Sequence, residues 1–395
     1  MSPTPEPDPV RLTLLYTFVF VEIGIAMPFM PVWLNALGLD PRVIGALIAL
    51  PIVIRIVATA PLMSLIDRGV PARALLIAGS LGGGLTYAAM PLAAGFGGAP
   101  LAGLVALNAL CGASLVPCID YLTLAAVRRS ARLDYARIRM GGSVGFLVAN
   151  LAGGALLGLL GERFAVPLLL TLLSLVAGAV ALAVGETGSP ARPASPGGEA
   201  PGPRLPNQLR LAIAAAATIQ ATHAAVNAFG AIHWAAHGIA PRWIGALWAI
   251  GVASEIVLFA IVRKVPARWR SPFRMIGLGA GAALVRAVGM AAYGTELPAA
   301  LALQLLHGFT FGATQLGAMA AVSQLAPEGA RGRAQGTVSA ATALVASGST
   351  LLCGLVYAQA GGAATFLSMA PLALTGLCLA ARGGVLARRA ALIAP

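Results

Sequence analysis

The chain has 395 residues, of which 58% are apolar and only 10% charged, with a net charge of +13. A soluble domain carries about 25% charged residues to cover its surface. This composition therefore excludes a soluble globular enzyme, a disordered chain and a secreted disulfide scaffold. The basic excess is scattered in short clusters with no single basic face, which excludes a nucleic-acid partner.

Along the chain, the leading MSPTPEPDPV lacks the basic region of a signal peptide, so the first apolar block is expected to stay as a helix. Apolar segments follow at 11–36, 42–66, 73–94, 100–127, 137–160, 164–184, 209–235, 242–263, 273–293, 298–325, 335–358 and 363–387. Each is long enough to cross a hydrocarbon layer of about 30 Å, which takes about 20 helical residues. The pattern predicts an all-α membrane protein with twelve transmembrane helices. Its parts are a six-helix half at 1–184, a Pro/Gly-rich cytoplasmic linker at 185–208, and a second six-helix half at 209–395.

In segment five, Gly141, Gly145, Ala149 and Gly153 recur at every fourth position, a stripe that permits close helix packing. The four cysteines (Cys111, Cys118, Cys353, Cys378) fall inside apolar segments and read as small core residues without disulfides. No metal-ligand spacing and no phosphate-cradling loop stands out. With the N-terminus, the even-to-odd loops and the C-terminus on one side, that side receives 21 of the 26 basic residues. The bias places both termini in the cytoplasm and suits a bacterial inner membrane.

The halves repeat. LGLDPRVIGALIALPIVIR (37–55) aligns without gaps to HGIAPRWIGALWAIGVASE (237–255) at a shift of 200. Two parallel halves related by an axis along the membrane normal are one of the known repeat architectures of transporters, with the solute site near mid-membrane.

Ionisable residues inside the segments carry the functional signal. A charge at the centre of a spanning helix costs about 2.5–3.5 kcal/mol. Five occur here: Glu22, Arg55, Asp120, Glu255 and Arg286, joined by His223 and His307. The repeat sets Arg55 opposite Glu255, and Glu22 opposite Thr222, next to His223. Burial favours the neutral form of a carboxylic acid, which suits Glu255, Asp120 or Glu22 to carry a proton. The arginines suit a substrate carboxylate, or an internal one such as a Glu255–Arg286 pair. Trp248 is a candidate substrate contact. Trp33 and Trp234, near segment ends, read as an aromatic belt, and His233 and His237 as solvated. Asn108, Tyr121, Gln220, Asn227, Gln304 and Gln315 are further polar candidates.

The loops resemble those of major facilitator transporters. Asp67-Arg68 with Arg73 matches part of the signature between helices two and three, although Met63 stands where that pattern has Gly. Arg331-Gly-Arg333 resembles the loop before helix eleven, so Asp67, Arg68, Arg331 and Arg333 are read as cytoplasmic gating residues. The stretches 133–146, 220–234, 244–260 and 306–313, with the Val285-Arg286 pair, look like the phenylpropionate permease family, close to lactose and nucleoside proton symporters.

The resemblance implies the major facilitator fold and a monomeric, proton-driven importer of small organic solutes, with aromatic acids as the named substrate. No cofactor is implied beyond the proton as coupling ion. The layout of Glu255, Arg286 and His307 is also similar to that of lactose permease, except that Thr310 stands where that permease carries its proton-binding glutamate. Drug efflux, sugar or nucleoside symport, and a non-transporting receptor or scaffold on the same fold are the rival readings. Partners are expected to be a small solute, protons and the lipid bilayer.

Overall fold

The computed structural model describes residues 8–130, 133–184, 204–327 and 330–393. The expected linker lies outside the described residues up to residue 203. Helices run in chain order as α1 (Pro9–Ala36), α2 (Pro41–Asp67), α3 (Ala72–Ala94), α4 (Gly98–Gly112) and α5 (Leu115–Arg129). Then come α6 (Tyr135–Leu160), α7 (Glu162–Ala183), α8 (Asn207–Ala221), α9 (Ala231–Ala236) and α10 (Pro241–Ile261). The series ends with α11 (Pro272–Tyr293), α12 (Leu297–Leu305), α13 (Thr314–Leu325), α14 (Arg331–Leu367) and α15 (Ala370–Ile393).

Ten helical stretches among the described residues are long and apolar enough to cross a membrane by length and composition. The tenth, Arg333–Arg389, runs over 57 residues and absorbs two of the expected segments. Gly361 interrupts it with φ +74. The expected segment at 298–325 is divided into α12, a π-helical turn Gly308–Ala313, and α13.

The repeat is visible in the backbone. Gly38 and Gly238 take φ of +79 and +80, and Gly161 and Gly361 take +79 and +74, each pair 200 residues apart. A left-handed residue that ends one helix and starts the turn to the next is cheap only for glycine. Both copies of the first turn then enter a helix at a proline, Pro41 and Pro241. That proline's missing N–H has no helical acceptor to lose there.

The chain forms two compact units. The first comprises residues up to 39 and 50–196, the second 40–49 and 197–395. The first turns of α2 join the second unit because glycines admit them. A Cβ on Gly354 would lie 2.9 Å from the Pro41 carbonyl, and one on Gly45 would lie 3.0 Å from the Gly354 Cα.

In the first unit, Leu12, Leu15, Leu76, Ile119 and Leu122 form a core shared by α1, α3 and α5. In the second, Leu209, Ile213, Ile276 and Val322 do so for α8, α11 and α13. Large apolar side chains also point outward, such as Leu85, Leu159 and Phe164, as a surface in contact with hydrocarbon requires.

The glycine stripe of α6 packs on α1. A Cβ on Gly141 would lie 2.6 Å from Thr13 Cγ2, one on Gly145 2.8 Å from the Thr17 carbonyl, and one on Gly153 2.5 Å from Ile25 Cδ1. The facing Gly24 leaves the matching room for Ala149. Gly145→Val is therefore expected to force the two backbones apart, at about 1–3 kcal/mol. A lowered melting temperature of the purified protein would show it; an unchanged one would mean that the stripe carries no packing constraint.

Arginines close helix ends in this unit. Arg73 Nε donates to the Ala181 carbonyl at 3.1 Å and Arg11 Nη1 to that of Ala183 at 2.5 Å, both at the end of α7. Arg163 Nε donates to the Ala36 carbonyl at 2.7 Å, at the end of α1. Guanidinium groups at helix C-termini satisfy orphan carbonyls and oppose the dipole.

Two aromatic-belt assignments and one histidine assignment need correction. Trp33 and Trp234 are fully buried, and His233 is buried with its ring edge on Phe366 and its Nδ1 against the backbone of Gly362. Hydropathy places a residue along a helix axis but does not say which face it occupies. Only His237 is exposed, as expected. Cys378 is also exposed, unlike the buried Cys118 and Cys353.

Candidate functional site

In the first unit, Glu22 lies midway along α1 and Arg55 midway along α2. The structure brings them together: Glu22 neighbours Arg55, Tyr87 and Ser174. Its Oε2 is sealed from solvent and has no hydrogen-bond partner. Asn108 adds a bond from Nδ2 to the Thr86 hydroxyl at 2.9 Å.

The Arg55 side chain is exposed and reaches toward Gly112, where a Cβ would sit 3.5 Å from Nη2. Gly112 ends α4 because Pro117, one turn on, has no N–H for the Ala113 carbonyl. That freed carbonyl lies 3.2 Å from the Thr59 hydroxyl of α2. The break in the fourth expected segment thus opens next to Arg55.

Asp120 does not join this group. It lies in α5, and its Oδ1 accepts from the Tyr16 hydroxyl of α1 and from the Tyr135 hydroxyl of α6, the latter at 2.8 Å. It is a hydrogen-bonded strut between three helices. Nearby, the Arg139 guanidinium stacks 5.2 Å over the Phe20 ring. Asp120→Ala is expected to remove the acceptor shared by the Tyr16 and Tyr135 hydroxyls, at about 1–3 kcal/mol of stability, while solute uptake keeps its dependence on the pH gradient. Loss of that dependence at unchanged melting temperature would return Asp120 to the proton pathway.

In the second unit, four expected residues converge. His223 and His307 each sit at a helix break, after α8 and after α12, and each break runs into a π-helical turn, Val226–Gly230 and Gly308–Ala313. Such turns inside helices frequently mark functional sites. The two rings meet edge to face at 5.0 Å, and His307 stacks on Phe311 at 5.6 Å.

His223 Nδ1 lies 2.9 Å from the Gln220 carbonyl and Nε2 lies 3.0 Å from the Thr310 hydroxyl. A carbonyl only accepts, so Nδ1 bears the hydrogen, and the one Thr310 proton goes either to Nε2 of a neutral ring or to the His307 carbonyl. Thr310 is fully buried, and its oxygen also lies 3.2 Å from the His307 carbonyl. His307 Nε2 is 3.9 Å from Glu255 Oε2.

Arg286 is only 6% exposed. Its Nη2 donates to Gln304 Oε1, its Nε has no partner, and no described carboxylate pairs with it. The Glu255–Arg286 pair is therefore not formed. Trp248 is buried, with its indole N–H unpaired.

Of the expected gating residues, Arg68 and Arg333 are exposed, and the side chains of Asp67 and Arg331 lie outside the described residues. Sequence reasoning passed over Tyr16, Tyr135 and Ser254. A tyrosine or serine in an apolar segment carries no insertion penalty that would single it out. The signal that existed was Gly308, which lets α10 approach: a Cβ there would lie 2.6 Å from the Ser254 carbonyl. The Ser254 hydroxyl accepts from the Gly308 N–H at 2.9 Å.

Comparison with known proteins agrees with this architecture. The family model described as the MFS_1 like family matches residues 10–368. A probable 3-phenylpropionic acid transporter of Escherichia coli (strain K12) is 31% identical over 320 residues, 78% of this chain and 80% of that one. Among solved structures, a variant of the nucleoside transporter NupG superposes with a TM-score of 0.79 at 15% identity, covering 95% of this chain and 99% of that one. A bacterial homologue of the human lysosomal transporter Spinster, in an inward-facing and occupied conformation, gives 0.72 at 17% identity and covers 96% of both chains. At such identities the solved structures speak to the fold alone. With the apolar helices and the repeat, the match over most of its length makes the chain a multi-pass membrane protein that belongs to the MFS_1 like family of transporters.

Proposed function

We propose that the protein is a proton-coupled importer of an apolar organic acid, working by alternating access in a bacterial inner membrane with both termini in the cytoplasm. The observation that carries the reading is Arg55. An arginine at the middle of a spanning helix cannot face hydrocarbon without a large cost. An exposed one at that depth faces a water-filled path, where it meets solute. Its guanidinium suits a carboxylate, by two parallel hydrogen bonds. The substrate for which the relative is named, 3-phenylpropionic acid, has that head group on an apolar body.

The second unit would supply the coupling. Protonation of Glu255 removes the charge facing His307, and deprotonation restores it. Two cationic groups at membrane depth disfavour the rival reading, export of lipophilic cations. A melting-temperature screen of the purified protein with 3-phenylpropionate, sugars, nucleosides and lipophilic cations at acid and neutral pH tests the substrate class. Bound ligand at about 100 times its dissociation constant stabilises by about 2.7 kcal/mol. The reading expects a rise with 3-phenylpropionate that is larger in acid. A rise with only sugars, nucleosides or cations would discard the organic acid.

A further inference from the structure

Arg286 poses a problem of charge. It is buried midway along α11, and the one carboxylate of the neighbouring group, Glu255, faces His307 instead. His223 and His307 both lie close enough to feel the guanidinium, and neither supplies negative charge. Gln304 gives one neutral acceptor. A buried cation without a counter-charge is strongly disfavoured, so something anionic is owed to this site.

A small cavity lies beside it, lined by Arg286, Thr222, Met290, Phe366 and Met369. The Thr222 hydroxyl gives its proton to the Ile219 carbonyl at 2.6 Å. Arg286, whose Nε–H has no partner, is then the charged residue lining an otherwise largely apolar cavity. The cavity holds about one water-sized body. It is too small for an aryl carboxylic acid, and a water molecule would leave the charge unbalanced.

We infer that Arg286 holds a monatomic monovalent anion, chloride under ordinary conditions, in this cavity. One negative charge beside the guanidinium balances it, and a monatomic anion fits where a larger acid does not. Arg55 is not among the residues lining this cavity, and the assignment stands whether or not the substrate is an organic acid.

The test uses the full chain purified in detergent, with sodium chloride, sodium bromide or sodium gluconate at one ionic strength. Melting temperature is expected to rise and saturate with chloride and with bromide but not with gluconate. The dependence should vanish in Arg286→Gln. It should also vanish in Ala287→Leu, which fills the cavity and keeps the arginine, so that a folding defect in the first variant does not decide the matter. Crystals grown in bromide should show an anomalous peak in this cavity beside the Arg286 guanidinium. Equal melting temperatures in chloride and gluconate would overturn the assignment, as would a chloride effect that survives in Arg286→Gln. Competition between 3-phenylpropionate and chloride for the same rise, lost in Ala287→Leu, would give Arg286 to the substrate instead and equally overturn it.

Discussion

Replacing Arg55 with Gln is expected to raise the 3-phenylpropionate concentration for half-maximal uptake into proteoliposomes by about 30-fold or more. Hydrogen bonds to a charged group contribute about 1.5–3 kcal/mol, and each 1.4 kcal/mol is about a factor of ten. The geometry makes the loss specific. Arg55 reaches the break between α4 and α5, where Pro117 frees a backbone carbonyl and Gly112 leaves room beside the guanidinium. Glu22 lies close enough to feel the Arg55 charge, but no carboxylate among the described residues pairs with Arg55 within 4 Å. The guanidinium is therefore available to a solute. Arg55→Lys keeps the charge but loses the planar fork, and should recover only part of the affinity. Half-saturation unchanged in Arg55→Gln would remove Arg55 from the binding site.

Glu255→Gln is expected to have the second large effect, of a different kind. Gln keeps the volume and the packing against Gly312, where a Cβ would sit 3.5 Å from Glu255 Cγ, but cannot bind and release a proton. Uptake driven by an imposed pH gradient should fall to simple equilibration, while exchange of labelled for unlabelled solute continues. For one proton per monovalent anion, the wild type should accumulate about tenfold per pH unit, since one unit is worth about 1.36 kcal/mol. Accumulation that persists in Glu255→Gln would move the proton to Glu22 or to the histidine pair, where the Thr310 hydroxyl lies within reach of both His223 Nε2 and the His307 carbonyl.

Much of this site was legible in the sequence because membrane insertion makes charge expensive. Glu22, Arg55, Glu255 and Arg286 stood out by that cost alone, and the shift of 200 residues paired the two halves before any coordinates. What the cost did not reveal was the company each charge keeps. Asp120 carries the same penalty as Glu22, yet two phenols satisfy it, and a phenol in an apolar segment leaves no trace in hydropathy. The burial of Trp33, Trp234 and His233 escaped for a related reason: position along an axis is readable, and rotation about it is not when nearly every residue is apolar. The helix breaks were half-legible. Pro117 announces the one between α4 and α5, whereas those at His223 and His307 have no proline and arise with the π-helical turns that follow them.

The central claim is that solute movement is tied to protons. It is tested most directly with 3-phenylpropionate at equal concentration on both sides of proteoliposome membranes holding the wild-type protein, and of protein-free vesicles, followed by an acid pulse outside. The account predicts that solute accumulates inside faster with the protein than in protein-free vesicles, where only the neutral acid crosses, and that a protonophore abolishes the accumulation. Solute that stays equal on both sides after the pulse, in vesicles shown to exchange it, would contradict the account.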